Sequence, residues 1–395
     1  MPTRRRFLRD TALATAGLAA APTVLTGRRA GAAPIGVGII GTGSRGTGLL
    51  QLVNAIDGLQ AVALCDVIDF RLAEAVALAG ANAEAYADYR ALLDDDRVDA
   101  VLLATPFGMH GPMAIDVLDA GKHLYCEKTM ARGEADIAAV LAAAAEHPKL
   151  TFQTGHQYHS SALYREVKRL CDAGYLGELT KVECQWHRNH DWRRPVPADR
   201  PELEPLINWR MYRAYSGGMV AELMSHQLDF VNWITGDRPA LVSGQGGIDH
   251  YPDGRETYDN VHLQCEYAGG LDATFSCTTT NRFGDYQVRV LGREGTIVLG
   301  YDWAKVYAES DEPAALGTVD GVSGATVTAW SRGEGVYVEA DGADPTRQAL
   351  VEFRDCVRAG TQPESDVHTG ALAARCVDLG LRAALAHDTL AWDFG

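Results

Sequence analysis

The stretch IGVGIIGTGSRG, residues 35–46, decides how the chain begins to fold. Ile35, Val37, Ile39 and Ile40 form a short apolar run suited to a strand buried on both faces, and it leads directly into Gly41, Gly43 and Gly46. At this spacing the first glycine makes a tight bend, the second lets a pyrophosphate approach the backbone, and the third lets the following helix pack on the strand. Asp66 closes a second apolar run, residues 60–65. An acid there can accept both hydroxyls of an adenosine ribose and repels a 2′-phosphate, which favours NAD over NADP. A glycine turn alone often serves only a sharp corner. Strand, glycines, helix, second strand and terminal acid in this order point to a dinucleotide.

The alternation continues. Apolar runs at 99–104, 122–126 and 150–153 are separated from one another and from the first two by helical patterns at 44–56, 69–80, 88–94, 109–120 and 133–146. This predicts an α/β fold, with a Rossmann-type doubly wound parallel sheet over residues 34–155. The loops after residues 40, 65, 104 and 126 then meet in one crevice at the carboxyl ends of the strands. Beyond residue 156 the pattern changes to a helix at 160–173, a long strand at 180–190, a polar loop at 194–206 and a helix at 218–235. Strands at 260–268, 271–280, 285–291 and 295–299 follow in hairpin-like succession, with Gly269-Gly270 as one tight turn. Residues 310–344 read as loops, and helices at 345–359 and 369–387 precede a terminal strand from Leu390. Residues 156–395 are therefore expected to form an α+β domain with a large, mostly antiparallel sheet, serving substrate binding and oligomerisation.

At 395 residues the chain is long enough for two cores. A net charge of −16 argues against nucleic acid and anionic membrane surfaces as partners and leaves a neutral small molecule as the easier ligand. The eight cysteines contain no C-x-x-C pair and read as buried thiols. At the N-terminus, Arg4-Arg5-Arg6-Phe7-Leu8-Arg9, a mild apolar stretch at 11–25 and the small-residue site Ala30-Gly31-Ala32 resemble a twin-arginine export signal over residues 1–32. The apolar stretch is short, alanine-rich and broken by Pro22, so no permanent membrane span is expected.

Three groups of residues carry candidate chemistry. Lys128, after Glu127 at the end of a strand, could hydrogen-bond a substrate hydroxyl and stabilise the alkoxide that forms as hydride leaves; a solvated ion pair with Glu127 is the alternative. On the helix after Ser216-Gly217-Gly218, α-helical spacing puts Glu222, His226, Asp229 and Trp233 on one arc. A histidine there can take a proton at neutral pH, and a carboxylate one turn away can orient it; a core histidine satisfied by Glu222 is the alternative. The E-x-x-x-H spacing also permits a metal, but no third ligand is evident nearby. The third group, Trp186, His187, Arg188, Asn189, His190, Asp191, Trp192 and Arg193, mixes rings with hydrogen-bonding groups as a carbohydrate site does. Strand alternation sends only half of it to one face. His156, Gln157, Tyr158 and His159 are placed to line the same pocket, although such loops also carry polar residues for their own backbone.

Taken together, Gly41-Thr42-Gly43-Ser44-Arg45-Gly46, Cys65-Asp66-Val67, Thr105-Pro106 with His110, Glu127-Lys128, and Gly217-Gly218 leading to His226 and Asp229 resemble the Gfo/Idh/MocA oxidoreductases over nearly everything after Pro34. The resemblance implies that Lys128 is the lysine of a Glu-Lys-Pro motif and catalytic, and that His226 transfers the proton. It implies NAD as cofactor, held by Gly41, Gly43, Ser44, Arg45, Gly46, Asp66, Thr105, Pro106, His110, Glu127 and Lys128. Gln157, Tyr158, His159, His187, His190, Trp192 and Asp229 are the candidate substrate contacts. The chain departs from the family at Thr129, where proline is usual, which is expected to loosen the lysine loop. It departs again at Glu222, where aspartate is frequent.

The expected reaction is hydride transfer at a secondary alcohol of a sugar, polyol or glycoside, with Lys128 holding the oxygen, His226 taking the proton and Glu222 tuning His226. Export implies that NAD travels with the folded protein and is restored within each cycle, for instance by paired oxidation and reduction of two carbohydrates. One alternative is an NAD-dependent glycoside hydrolase working by transient oxidation and elimination, with Tyr158, His159 or His190 as an added base. Another is a non-catalytic sugar or dinucleotide sensor, against which the presence of both Lys128 and His226 argues. A homo-oligomer is expected, joined through an apolar face of the antiparallel sheet.

Overall fold

Ile35–Ile40 (β1) is buried along its whole length, as an apolar run between two helical layers must be. The computed structural model describes residues 33–309, 318–319, 322–323 and 335–394; the expected export signal and most of the expected loop at 310–344 lie outside the described residues. With β1 go Leu59–Cys65 (β2), Glu84–Tyr86 (β3), Ala100–Leu103 (β4), His123–Cys126 (β5) and Phe152–Thr154 (β6). They form a six-stranded sheet in the order β3-β2-β1-β4-β5-β6, parallel throughout. The order reverses between β1 and β4, where doubly wound sheets open a ligand crevice. Ile40 pairs with both Cys65 and Leu103, and Leu103 with Cys126, so the loops that build the crevice leave the sheet at one level.

The second sheet comprises Leu179–His187 (β7), Pro239–Gly247 (β8), Asn260–Tyr267 (β9), Asp272–Thr278 (β10), Tyr286–Gly292 (β11), Gly295–Leu299 (β12) and Ala304–Ala308 (β13). Thr318–Val319 (β14) pairs with Val322–Ser323 (β15) separately, while Val336–Tyr337 (β16) and Thr389–Ala391 (β17) close the edges of the large sheet. Its nine strands run β16-β13-β12-β11-β7-β10-β9-β8-β17, antiparallel except for β7 against β10. β8 is not foreseen from its sequence because Ser-Gly-Gln-Gly-Gly lacks β-branched residues. Gly244 is there for contact: a side-chain carbon on it would lie 2.4 Å from the backbone nitrogen of Ala384, on the helix that crosses the sheet.

One expectation needs correction. The exposed sheet face is polar: on β9, Val261, Leu263, Cys265 and Tyr267 point into the core, while His262, Gln264 and Glu266 face out. The premise of an apolar subunit face is therefore not met. The two halves also share packing, and from Ile35 onward the chain forms one compact unit. Ala349, Leu350 and Phe353 of the helix Pro345–Ala359 lie in the core with β1, and Val367, Ala371 and Ala374 of Val367–Ala386 pack with Met130, Ile137 and Phe152. Cys376, Val377, Leu379 and Ala383 of the latter helix then belong to the core of the large sheet. Amphipathic spacing shows that a helix has a buried face but not which sheet receives it.

Candidate active site

The glycine turn is as tight as its spacing implies. Gly41 has φ +89°, and a side-chain carbon there would lie 2.6 Å from the Ala104 oxygen; one on Gly46 would lie 1.8 Å from the Gly41 oxygen. Above Gly43 the space is open, its nearest neighbour being Arg71 Nη1 at 3.7 Å. The helix Ser44–Ala55 begins there without a side-chain cap, leaving N–H groups directed at the crevice. Asp66 Oδ2 accepts from Thr42 N at 2.8 Å and Oδ1 from Ile68 N at 2.8 Å. The Thr42 hydroxyl also donates to Oδ2, at 3.2 Å. A carboxylate has about four acceptor sites, so one remains for a ribose hydroxyl, and the Thr42 hydroxyl would have to turn away to free a second. Thr105 Oγ1 and Gln157 Oε1, both of residues lining the cleft, are buried without a partner among the described residues. Open glycine, uncapped helix start, acid and orphaned polar atoms form a donor and acceptor set that fits NAD.

The cleft measures about 650 Å³ and is lined from both halves of the chain. Lys128, on the loop after β5, donates from Nζ to the Glu222 backbone oxygen at 3.0 Å and lies 3.8 Å from Glu222 Oε2. Arg210 Nε donates to that same Oε2 at 3.1 Å. Burial pushes the Glu222 carboxyl upward, but Lys128 and Arg210 outweigh it and hold the group below the usual range. Thr129 does not loosen the loop: it is buried, and its hydroxyl donates to the Ala221 oxygen at 3.2 Å. His110 braces the same loop, with Nδ1 2.8 Å from the Thr129 oxygen and Nε2 2.9 Å from the Thr105 oxygen. That double engagement makes it a positioning residue for the cofactor loops. Arg45 Nε and Glu127 Oε1 bond to each other at 2.6 Å along the cleft wall. Ser44 begins its helix, and Pro106 leads the 3-10 turn Phe107–Met109.

His226 lines the cleft with its ring enclosed by His156, Tyr158 and Trp186 at centroid distances of 5.8, 5.3 and 5.7 Å. Burial first, then the charges of Lys128, His156 and Arg45, hold it well below the ordinary histidine value, so the ring is neutral at pH 7. Among the described residues its Nδ1 has no partner, and both ring nitrogens of buried His156 are likewise unpartnered. Glu222 does not tune it. The expectation assumed continuous α-helix, whereas Val220–Met224 winds as a π-helix before α-helix resumes at Ser225–Thr235, and Glu222 turns to Lys128.

Of the expected substrate contacts, Gln157, His190 and Trp192 line the cleft. The others do not. Asp229 accepts from His159 at 2.9 Å with both side chains buried, and the His159 ring packs at a tilt against Trp233 with centroids 4.2 Å apart, so this pair belongs to the core. Tyr158 stacks flat on Tyr164 at 4.0 Å behind His226. His187, alternating with inward Trp186, faces Ser276 Oγ at 3.1 Å on the other side of the sheet. Trp192 holds a left-handed backbone, φ +65°, with its N–H donated to His190 Nδ1 at 3.1 Å. Such a conformation costs an ordinary residue about 1–3 kcal/mol and persists where surroundings impose it.

Arg188, of the third candidate group, also lines the cleft, as do Arg194, Trp209 and Arg210, which were not singled out from the sequence. Arg210 lies 4.3 Å over the Trp209 ring, and the adjacent Trp209-Arg210 pair is the signal that a search for stacked cations would have found.

The model of an oxidoreductase family with an NAD-binding Rossmann fold matches residues 35–156, and that of the GFO/IDH/MocA C-terminal domain matches residues 164–298. An inositol 2-dehydrogenase of Ralstonia nicotianae is 27% identical over 335 residues, covering 78% of this chain and 91% of that protein. Among solved structures, a levoglucosan dehydrogenase in complex with NADH and levoglucosan superposes with a TM-score of 0.73 at 19% identity, covering 91% of this chain and 100% of the other. An aldose-aldose oxidoreductase from Caulobacter crescentus gives 0.72 at 21%, covering 91% and 99%. At these identities the structures share the fold. With both domain models matched in order and the glycine turn, acid and lysine loop placed around one cleft, the chain belongs to the Gfo/Idh/MocA family of NAD-dependent oxidoreductases.

Proposed function

We propose that this oxidoreductase moves hydride at a secondary alcohol of a sugar, polyol or glycoside, using an NAD that it keeps and restores within each cycle. The observation that carries the reading is the convergence of Lys128 and His226 on one cleft that also holds Trp192 and Trp209. Bound NAD supplies the hydride acceptor. Neutral His226 takes the hydroxyl proton, and the Lys128 ammonium donates to the oxygen as negative charge develops. Lys128 is positioned for this by the Glu222 carbonyl, with the carboxylate of Glu222 close behind. The two tryptophans offer faces on which a sugar ring stacks.

Lys128→Ala and His226→Ala are the test, with inositols, aldoses and glycosides screened for reduction of the bound nucleotide at 340 nm. Both variants should lose turnover while Lys128→Ala still binds NAD; full activity in either refutes the assignment. For the glycosidase alternative only His190 among its three expected bases lines the cleft. Release of nitrophenol from nitrophenyl glycosides without net NADH would favour that route. The arginine motif and small-residue site within residues 1–32 support export by the twin-arginine route. Replacing Arg4 and Arg5 with lysine should leave the protein in the cytoplasmic fraction.

A further inference from the structure

Ile68 is the point of departure. It follows the ribose acid Asp66 by two positions, at the mouth of the crevice, yet it is only 1% exposed. What covers it is not the nucleotide-binding half but residues from beyond β7. Leu203 and Ile207, 5% and 6% exposed, pack on Ile68 with Val196 and Leu206 as a small cluster apart from the main cores. Beside it, Arg200 Nη1 reaches Asp69 Oδ2 at 3.2 Å.

The same segment is fastened at its base. Arg193 pairs with Glu204 and with Asp253, each at 2.8 Å. Asn208 takes Arg194 N at 2.7 Å and returns a bond to the Arg194 oxygen at 3.2 Å. It therefore crosses from the large sheet to the adenosine end of the crevice as a fixed strap.

Charge points to what lies beneath it. Arg71, half-buried beside Gly43, has its guanidinium disfavoured by burial and by the charges of Arg194 and Arg210, which outweigh the favourable charges of Asp66 and Glu74. Among the described residues, neither Arg71 nor Arg194 has a carboxylate within ion-pairing distance, while Arg210 is matched by Glu222. Two guanidinium groups from opposite halves thus face the nucleotide site, Arg71 beside the open space at Gly43 and Arg194 on the cleft wall, neither of them held in a salt bridge among the described residues.

We propose that residues 193–207 form part of the dinucleotide site, closing over its adenosine end so that NAD is retained between turnovers, with the anionic backbone of the dinucleotide bridging Arg71 and Arg194. The inference rests on the NAD assignment. It makes the cofactor-binding unit larger than the Rossmann domain and gives the retained cofactor a physical cause: release requires the Ile68 cluster to part.

The experiment uses the full chain loaded with NADH and chased with excess NAD, following the loss of bound-NADH fluorescence. Leu203→Ser with Ile207→Ser should release NADH at least tenfold faster than the parent. Arg194→Ala, whose side chain is on the surface and outside the cluster, should weaken NADH binding and flatten its dependence on salt. Circular dichroism checks that each variant is folded. Equal release rates in the parent and the serine variant, with unchanged salt dependence in Arg194→Ala, overturn the strap while leaving NAD in place. A parent that binds no NADH overturns the cofactor assignment itself.

Discussion

Asp229→Ala is expected to destabilise the protein by about 3–5 kcal/mol, the range for removing one partner of a buried ion pair. The magnitude follows from the setting. His159 and Asp229 are 0% and 4% exposed and 2.9 Å apart, so alanine leaves the imidazole without its partner and without water. Asp229→Asn keeps an acceptor for His159 and should cost less, about 1–2 kcal/mol. Urea unfolding followed by tryptophan fluorescence is the assay, because Trp233 packs against the His159 ring and reports on this packing. With a denaturant slope of roughly 3 kcal/mol per molar, alanine should lower the midpoint by about 1–2 M. The pH dependence has a definite sign. Burial pulls the His159 value down, but Asp229, with help from Glu364 and Glu352, raises it above 6.5. Its contribution is complete below pH 6.5 and fades as pH rises through the raised value. Burial pushes Asp229 up, yet His156 and His159 bring it below 3.8, so its contribution is present above pH 3.8 and fades as pH falls through the lowered value. The difference between parent and alanine variant should therefore be greatest between pH 3.8 and 6.5. An unchanged midpoint in that window, with loss confined to substrate affinity, would refute the core role and restore Asp229 as a contact.

Gly46→Ala places a carbon where 1.8 Å separates it from the Gly41 oxygen, so the turn must shift. A cost of about 1–3 kcal/mol should appear as a 10- to 100-fold weaker NADH affinity in a fluorescence titration. Asp66→Ser should bring NADPH affinity closer to that of NADH, read by parallel titrations; retained discrimination would mean that another group excludes the phosphate. Thr129→Val removes the donor to the Ala221 oxygen and should cost about 1 kcal/mol in urea stability. Lys128→Met removes a charge that depresses His226, so the His226 ring signal should titrate at higher pH in NMR spectra than in the parent.

The first half of the fold was legible because parallel strands buried on both faces leave unbroken apolar runs, and the glycine turn and Asp66 fix the cofactor end of the crevice. Lys128 was legible for a related reason: its place at the end of β5 puts it at the level of the crevice loops. The large sheet was readable in part, as β7, β9–β12 and the terminal strand, but β8 and β13 were missed and so was the order, since the parallel pairing of β7 with β10 joins segments distant in sequence. Among site residues, His187 failed because alternation allows either face, and the sequence does not show which one is covered. His159 and Asp229 failed differently. A polar pair that satisfies itself in a core has the same composition as a polar pair that waits for a ligand.

Glu222 is the most instructive of these residues. In an α-helix four residues slightly exceed a turn, so Glu222 and His226 would have been neighbours. Winding with i→i+5 bonds stretches the turn, and four residues no longer complete it. Over Val220–Met224 this swings the Glu222 carboxylate to Lys128 and Arg210. It also presents the Ala221 and Glu222 carbonyls to the loop after β5, where the Thr129 hydroxyl and the Lys128 ammonium meet them. The distortion thus joins the helix that carries His226 to the loop that carries Lys128 through backbone atoms, which side-chain substitution cannot remove. It follows that exchanging Glu222 for glutamine should reduce turnover less than removing Lys128 does, because the carbonyl that holds the ammonium remains. A loss equal to that of Lys128→Ala would instead assign the positioning of the lysine to the carboxylate.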